Sequence, residues 1–302
     1  MKWREMRQVD VFTKELYVGN PLAVILESDG LESRQMQAVA TEMNLSETAF
    51  VLKPTSSEAD YRLRIFTPTV ELPFAGHPSI GTAFVLYEYG RFGDKNSKFS
   101  VRQEVDIGVL SIEVNPTIPG VRVMMTQGEP ERGLACDDVE RLILALDLNV
   151  DDVMETGLPV EVSSTGLRQM MVPVGSLKAV REMQPDMRTL VEVERALNVT
   201  GCEVFTLSSS PDTDAHVRFF GPASGIDEDP ATGSAAGALG AYLVRHGAVD
   251  TTNNPVLIVV GQGEELGRPS RIEVEVQHEA GIPKVVRVGG FCKTVLKGQL
   301  LV

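Results

Sequence analysis

Apolar and polar residues alternate over many short stretches of the chain: 9–12, 61–66, 109–114, 121–125, 256–260, 272–276 and 285–288. Alternation with a period of two marks a strand with one face buried. Helix-like segments interrupt these strands at residues 33–43 and 189–198. Two further runs, rich in small apolar residues, lead into Tyr87-Glu-Tyr-Gly90 and into Tyr242-Leu-Val-Arg-His-Gly247. Short strands mixed with helices predict an α+β chain whose sheets wrap on helices.

The pattern occurs twice. Arg64-Ile-Phe-Thr-Pro68, an acidic stretch and Ala75-Gly-His-Pro-Ser-Ile-Gly81 recur as Arg218-Phe-Phe-Gly-Pro222, an acidic stretch and Ala231-Thr-Gly-Ser-Ala-Ala-Gly237, 154 to 156 residues later. Upstream, Leu22-Ala-Val-Ile is matched to Lys178-Ala-Val-Arg, and Ala49-Phe-Val-Leu52 to Val204-Phe-Thr-Leu207, at similar offsets. A near-constant offset over successive landmarks predicts a duplication, hence two pseudo-symmetric domains. Asn115-Pro-Thr-Ile-Pro-Gly120 is the best linker by composition. A second crossing near Gly289-Gly290 would return the last strand to the first half. The expected domains are 1–118 with 289–302, and 119–288.

Each repeat places small residues directly before a helix. Amides at a helix start lack intrahelical partners, and the helix dipole is positive there. Ala75-Gly76-His77-Pro78 and Pro230-Ala231-Thr232-Gly233-Ser234 are therefore candidate cradles for a carboxylate or an oxyanion, with Gly76, Gly233 and Ser234 as substrate-binding candidates. Pseudo-symmetry would bring the two helix starts together on one small substrate. The alternative reading of either loop is a tight turn that serves only packing. A dinucleotide site is excluded: Gly233, Gly237 and Gly240 do not make the Gly-x-Gly-x-x-Gly order, the residues before them read as acidic loop, and no Walker lysine occurs.

The candidate cradles lie beside ionisable groups. His77 can donate or accept a proton near neutral pH, or simply bond backbone in its turn. Asp229 is either functional or an N-cap of the following helix. Glu47, in Asn44-Leu-Ser-Glu-Thr-Ala-Phe50, is either catalytic or a solvated loop carboxylate. At an offset of 155, Cys202 falls opposite Glu47, so one half keeps a carboxylate where the other does not.

Composition narrows the function classes. The 302 residues, 43% of them apolar, suffice for two cores of ordinary size. A net charge of −14 repels nucleic-acid phosphates and anionic membrane surfaces, so neither is an expected partner. Cys136, Cys202 and Cys292 make no disulfide framework, and no Cys/His spacing suggests a metal site. The charged N-terminal residues lack the apolar core of a signal peptide, and no run is long enough to span a bilayer, so the expected compartment is the cytoplasm.

The motifs together resemble a known family. Val9-Asp-Val-Phe, Gly19-Asn-Pro-Leu-Ala-Val24, Asn44-Leu-Ser-Glu-Thr-Ala-Phe50, Arg64-Ile-Phe-Thr-Pro68, Glu71-Leu-Pro-Phe-Ala-Gly-His-Pro78, Glu228-Asp-Pro-Ala-Thr-Gly-Ser-Ala235 and Gly267-Arg-Pro-Ser270 are similar to the PhzF-like phenazine-biosynthesis isomerases, of the diaminopimelate-epimerase-like fold. The resemblance implies two similar domains, each a β-barrel-like mixed sheet around a central helix, a homodimer and no cofactor. It places the acid/base carboxylate on Glu47 and substrate-orienting roles on His77, Asp229 and Ser234. The implied activity is an isomerase that moves a proton on a small carboxylate substrate. The alternatives are a racemase or epimerase of an amino acid-like substrate, and a non-catalytic binding protein. Cofactor-free epimerases of this fold use a cysteine from each Gly-rich loop, where this chain has Ala75 in the first and Ala231 and Thr232 in the second. Arg168 and Gln169 stand where more apolar residues are expected, which bears on substrate identity.

Overall fold

The computed structural model describes residues 2–92, 97–118, 120–136 and 138–302. In chain order the elements are β1 (Trp3–Val11), β2 (Asn20–Ile25), α1 (Ser33–Met43), β3 (Glu47–Leu52), β4 (Tyr61–Phe66), β5 (Glu71–Leu72), α2 (Gly76–Glu88), β6 (Phe99–Val105), β7 (Gly108–Pro116) and β8 (Val121–Thr126). There follow β9 (Glu131–Ala135), α3 (Val139–Ala145), α4 (Val150–Met154), β10 (Glu161–Ser164), β11 (Arg168–Pro173), α5 (Leu177–Glu182) and α6 (Met187–Leu197). The chain ends with β12 (Gly201–Thr206), β13 (Ala215–Gly221), β14 (Ile226–Asp229), α7 (Gly233–Arg245), β15 (Val256–Gln262), β16 (Ser270–Glu279) and β17 (Ile282–Leu301).

The chain divides into two compact units, Met1–Thr126 with Gly289–Val302, and Gln127–Val288. The Asn115–Gly120 stretch is not a linker. It is the turn of a hairpin inside the first unit, since Pro116 pairs with Val121 and Asn115 with Arg122; Pro119 itself lies outside the described residues. The chain passes instead to the second unit after Thr126 and returns within β17.

In the first unit the strands form a closed ring of eight. β1 pairs antiparallel with β17 and β2, β2 lies parallel to β3, and β3 is antiparallel to β4. β4 lies parallel to β6, then β7 and β8 follow antiparallel, and β8 meets β17. Helix α2 fills the ring, buried from His77 to Leu86. Its close fit needs Gly81, where a Cβ would lie 2.6 Å from Leu22 Cδ2. Helix α1 packs on the outer face, where Met36 and Ala40 meet Phe50 and Phe66.

The second unit repeats this plan. β9 to β13 run antiparallel except for the parallel β11–β12 pair, and β13 continues parallel to β15, which is antiparallel to β16. Ala280 and Gly281, both at positive φ, turn β16 back into β17, as a two-residue hairpin with the twist of its strands requires. Helix α7 is buried along most of its length, and its Tyr242 stacks edge-on against Phe205. Helices α3 to α6 cover the outer face, where Leu142, Val180 and Leu190 pack on Cys202, Val204 and Phe220.

Repeat equivalence is settled by strand register. Arg64 opposes Phe50, and Arg218 opposes Val204. Arg64 forks onto Glu71, and Arg218 onto Glu228. Helices α1 and α6 both end on a left-handed asparagine, Asn44 and Asn198. Two of the sequence landmarks are corrected by this. Leu22-Ala-Val-Ile lies in β2 but Lys178-Ala-Val-Arg lies in α5, so the counterpart of β2 is β11, the strand parallel to β12. The counterpart of Glu47 is Gly201 rather than Cys202. A slip of one residue turns a strand's side chains to the opposite face: Cys202 faces the outer helices. Among the described residues no helix is long and apolar enough to cross a membrane.

Candidate functional site

In the first unit, Glu47 opens β3 and His77 is the second residue of α2. The loop from β5 turns directly into the helix at Ala75, which supplies no side-chain cap. Glu47 is therefore not a solvated loop carboxylate. Its side chain and that of His77 are 9% and 7% exposed, and His77 Nε2 stands 3.4 Å from Glu47 Oε2. His77 Nε2 has no hydrogen-bond partner. Burial drives the His77 pKa down from 6.5 to about 3, so desolvation outweighs any gain from the carboxyl beside it and the imidazole is neutral. Gly76, half-buried, begins the helix.

A buried relay fixes that helix start. Tyr61 Oη donates to Gln103 Oε1 at 2.9 Å, Gln103 Nε2 donates to Ser79 Oγ at 2.8 Å, and Ser79 Oγ donates to the Ala75 carbonyl at 2.8 Å. Gln103 and Tyr61 sit on strands that pair with each other. The relay thus ties the first turn of α2 to the barrel wall.

In the second unit, Asp229 ends β14 and Gly233 begins α7. The acidic stretch before the helix, expected as loop, is a short strand. The N-cap of α7 is Thr232, so Asp229 does not cap the helix. Instead Thr232 Oγ1 donates to Asp229 Oδ2 at 2.6 Å. Gln262 Nε2 donates to the Asp229 carbonyl at 2.7 Å, and the Thr232 amide donates to Gln262 Oε1 at 2.9 Å. Asp229 is thereby held in place although 7% of it is exposed. The Gly233 carbonyl accepts from Gln127 Nε2 at 3.0 Å; Ser234, half-buried, follows it in the first turn. Glu228 is not an exposed neighbour but the partner of Arg218.

Sequence reading missed Thr232, Gln262, Gln103 and Ser79 as supports, since each gains its role from a partner distant in the chain. All three cysteines are buried thiols outside any disulfide. Asp137, beside Cys136, lies outside the described residues. Among those described, no three His, Cys, Asp or Glu side chains gather as a metal site.

Paired helix-centred barrels, each with a helix start beside a buried carboxylate, define an isomerase of the diaminopimelate-epimerase-like architecture. The chain belongs to the phenazine biosynthesis-like protein family, whose profile matches residues 9–298. It is 37% identical to an uncharacterised isomerase of Clostridium acetobutylicum, over 97% of both chains. It is 36% identical to the trans-2,3-dihydro-3-hydroxyanthranilate isomerase of Pseudomonas chlororaphis, over 97% of this chain and 98% of that one. The crystal structure of a PhzF-family phenazine biosynthesis protein of Bacillus anthracis superposes with a TM-score of 0.88 at 28% identity, covering both chains fully.

Proposed function

We propose that this isomerase works without a cofactor and moves a proton on a small carboxylate substrate, with Glu47 as acid and base. The observation that carries the reading is the Glu47–His77 contact at the uncapped start of α2. The Glu47 carboxylate takes a proton from a substrate carbon, becoming the acid, and returns it to another carbon on the same face, so hydrogen is conserved. A general acid/base needs a proton within hydrogen-bond reach and a site kept from bulk water. Neutral His77 orients a substrate polar group without adding charge. Amides at the start of α2, from Gly76, stabilise negative charge as it develops, and in the second unit the amides of Gly233 and Ser234 offer donors of the same kind. In the second unit Asp229, braced by Thr232 and Gln262, is an oriented acceptor for a ligand polar group. Family membership also supports a homodimer in the cytoplasm, which light scattering of the purified protein and fractionation of its cells check.

The natural first probe is trans-2,3-dihydro-3-hydroxyanthranilate, the compound named for the relative in Pseudomonas chlororaphis. In deuterated water the wild-type protein is expected to place solvent deuterium on this compound, or on a related cyclic carboxylate, as it converts it. Glu47→Gln keeps the shape of the side chain and removes its proton chemistry, so exchange and conversion should both vanish while the fold persists. Wild-type exchange in the Glu47→Gln protein would remove Glu47 from the mechanism.

A further inference from the structure

The two barrels differ at one hairpin. In the first unit β6 turns into β7 through two residues, Asp106 and Ile107, because Val105 pairs with Gly108. The matching hairpin of the second unit joins β15 to β16, since β13 lies parallel to β15 as β4 does to β6. There Gln262 pairs with Ser270, so seven residues, 263–269, stand where the first unit uses two. A barrel of this plan closes without the longer loop, which therefore calls for another reason.

The loop lies against the approach to α7. Gly263 has a φ of +82°, and a Cβ on it would come 2.4 Å from the Pro230 carbonyl oxygen and 2.5 Å from that of Arg268. Glycine thus lets the loop backbone settle on the residue that follows Asp229. The flanks of the loop rest on the same segment. Gln262 bonds the Asp229 carbonyl and Thr232, and Ser270 Oγ lies 3.4 Å from the Pro230 carbonyl oxygen. Inside the loop, the Leu266 and Arg268 amides donate to the Gly263 carbonyl at 3.2 and 2.9 Å, and the Gly267 amide donates to the Glu264 carbonyl at 3.0 Å. The loop is closed by its own backbone, so a hold on its middle is a hold on Gly263.

Two acids in that middle are held from outside the loop. His216 shares the outer face of β13 with Arg218 and Phe220, and its Nε2 donates to Glu265 Oε1 at 2.8 Å. Its Nδ1 stands 3.9 Å from Glu264 Oε2. Arg181 of α5 donates to Glu264 Oε2 at 2.7 Å and lies 3.8 Å from Glu265 Oε1. Arg218 secures α5 in turn, by donating to the Val180 and Met183 carbonyls. Arg181 is half-exposed, and exposed ion pairs contribute little. The His216–Glu265 contact is the buried one, with side chains 3% and 13% exposed. Breaking it leaves a buried partner unsatisfied, which costs more than breaking a surface pair. Arg62, the first-unit counterpart of His216, makes longer and more exposed contacts, 4.0 Å to Glu104 and 3.6 Å to Asp106.

We propose that His216 is a positioning residue: through Glu265 it seats the 263–269 loop on Pro230 and so fixes the aim of Asp229. This rests on the reading of Asp229 as an oriented acceptor for a ligand polar group.

Glu265→Ala removes the seat, whereas Glu265→Gln keeps an acceptor for His216 Nε2. Hydrogen exchange of the ligand-free protein, resolved to single amides, is the first test. In Glu265→Ala the Leu266, Arg268 and Thr232 amides should exchange about tenfold faster than in wild type, the change that loss of one hydrogen bond to a charged group gives, while amides in the middle of α7 keep their rates. Glu265→Gln should restore all three. His216→Leu should match Glu265→Ala, and the two changes together should do no more than either alone. Faster exchange at Leu266 and Arg268 with Thr232 unchanged would show a loop that does not set the Asp229 turn, and overturns the proposal. Faster exchange throughout the second unit would make His216 and Glu265 merely structural, and overturns it as well. With trans-2,3-dihydro-3-hydroxyanthranilate as probe, Glu265→Ala should raise KM roughly fivefold with a smaller change in kcat, and should add nothing in the Asp229→Asn background. A KM effect undiminished in that background would mean that the loop does not act through Asp229. A wild-type protein that leaves the probe unchanged tells against the proposed function, and exchange at Thr232 still decides whether His216 sets the turn.

Discussion

His77 Nε2 lies 3.4 Å from Glu47 Oε2, and the imidazole is neutral because burial holds its pKa at about 3. The contact is therefore a neutral ring beside a carboxyl, not an ion pair. This has a consequence for stability. The unfolded chain protonates His77 near 6.5, and the folded chain only near 3. Between those values the unfolded state binds the extra proton, so the contribution of His77 is fully favourable above pH 6.5 and is lost as pH falls toward 3, at up to about 1.4 kcal/mol per pH unit. Urea unfolding of wild type and His77→Gln should converge in that direction, the variant being less sensitive to acid. Parallel curves across the window would show that His77 is charged in the folded protein.

Thr232→Val replaces the hydroxyl that donates to Asp229 Oδ2 with a methyl group of similar size. The Gln262 amide keeps its bond to the Asp229 carbonyl but loses the one to Thr232 Oγ1. Stability should fall by about 1–3 kcal/mol, the net worth of the two hydrogen bonds lost. Substrate KM should rise more than kcat falls, because the carboxylate loses its fixed orientation, and Thr232→Ser should restore it. Unchanged kinetics in Thr232→Val would mean that Asp229 needs no such brace.

The motifs that repeat along the chain, and the residues inside them, were legible in the sequence because helix starts and strand alternation have local signatures. Glu47, His77 and Asp229 stand at such landmarks. Glu203, buried in β12, had no signature. In Gly201-Cys-Glu-Val-Phe-Thr206, alternation suggests that a charged residue faces solvent, but both faces of β12 are covered, by α5 and α6 on one side and α7 on the other. The same ambiguity explains the mistaken match of Glu47 with Cys202. An offset that varies by one residue cannot fix which face a side chain takes, whereas the pairing of Arg64 with Phe50 and of Arg218 with Val204 does. The supports Gln103, Ser79 and Gln262 depend on contacts between strands and helix starts far apart in sequence, which periodicity does not encode.

Gln103→Leu should expose how much the helix start depends on its relay. The substitution strands the buried Tyr61 hydroxyl and removes the bond that Ser79 Oγ accepts, while Ser79 keeps its own bond to the Ala75 carbonyl. The unsatisfied Tyr61 hydroxyl costs about 1–3 kcal/mol, so the variant should unfold at lower urea than wild type. Activity should fall as well, since Ser79, which bonds the Ala75 carbonyl one residue before Gly76, is no longer tied to the barrel wall. A variant as stable as wild type would show that the relay is dispensable.

Thiol chemistry separates a one-carboxylate isomerase from a two-base epimerase. An epimerase that used cysteines would need thiolates at the helix starts, where the dipole lowers a thiol pKa. Here those positions are Ala75, Ala231 and Thr232. Cys202 lies in the outer core of the second unit beneath α6, and burial there raises its pKa well above the ordinary value. Cys292, on β17 opposite Val11, is likewise buried and raised. Cys136 is buried in the same core cluster as Cys202. Buried thiols are out of reach of the reagent, so iodoacetamide should leave the folded protein unlabelled under conditions that label all three cysteines once it is unfolded in urea. Turnover after treatment should match that of the untreated protein. Rapid loss of activity on modification of one cysteine, slowed by substrate, would place a thiol at the reacting carbon and displace Glu47 as the sole acid and base.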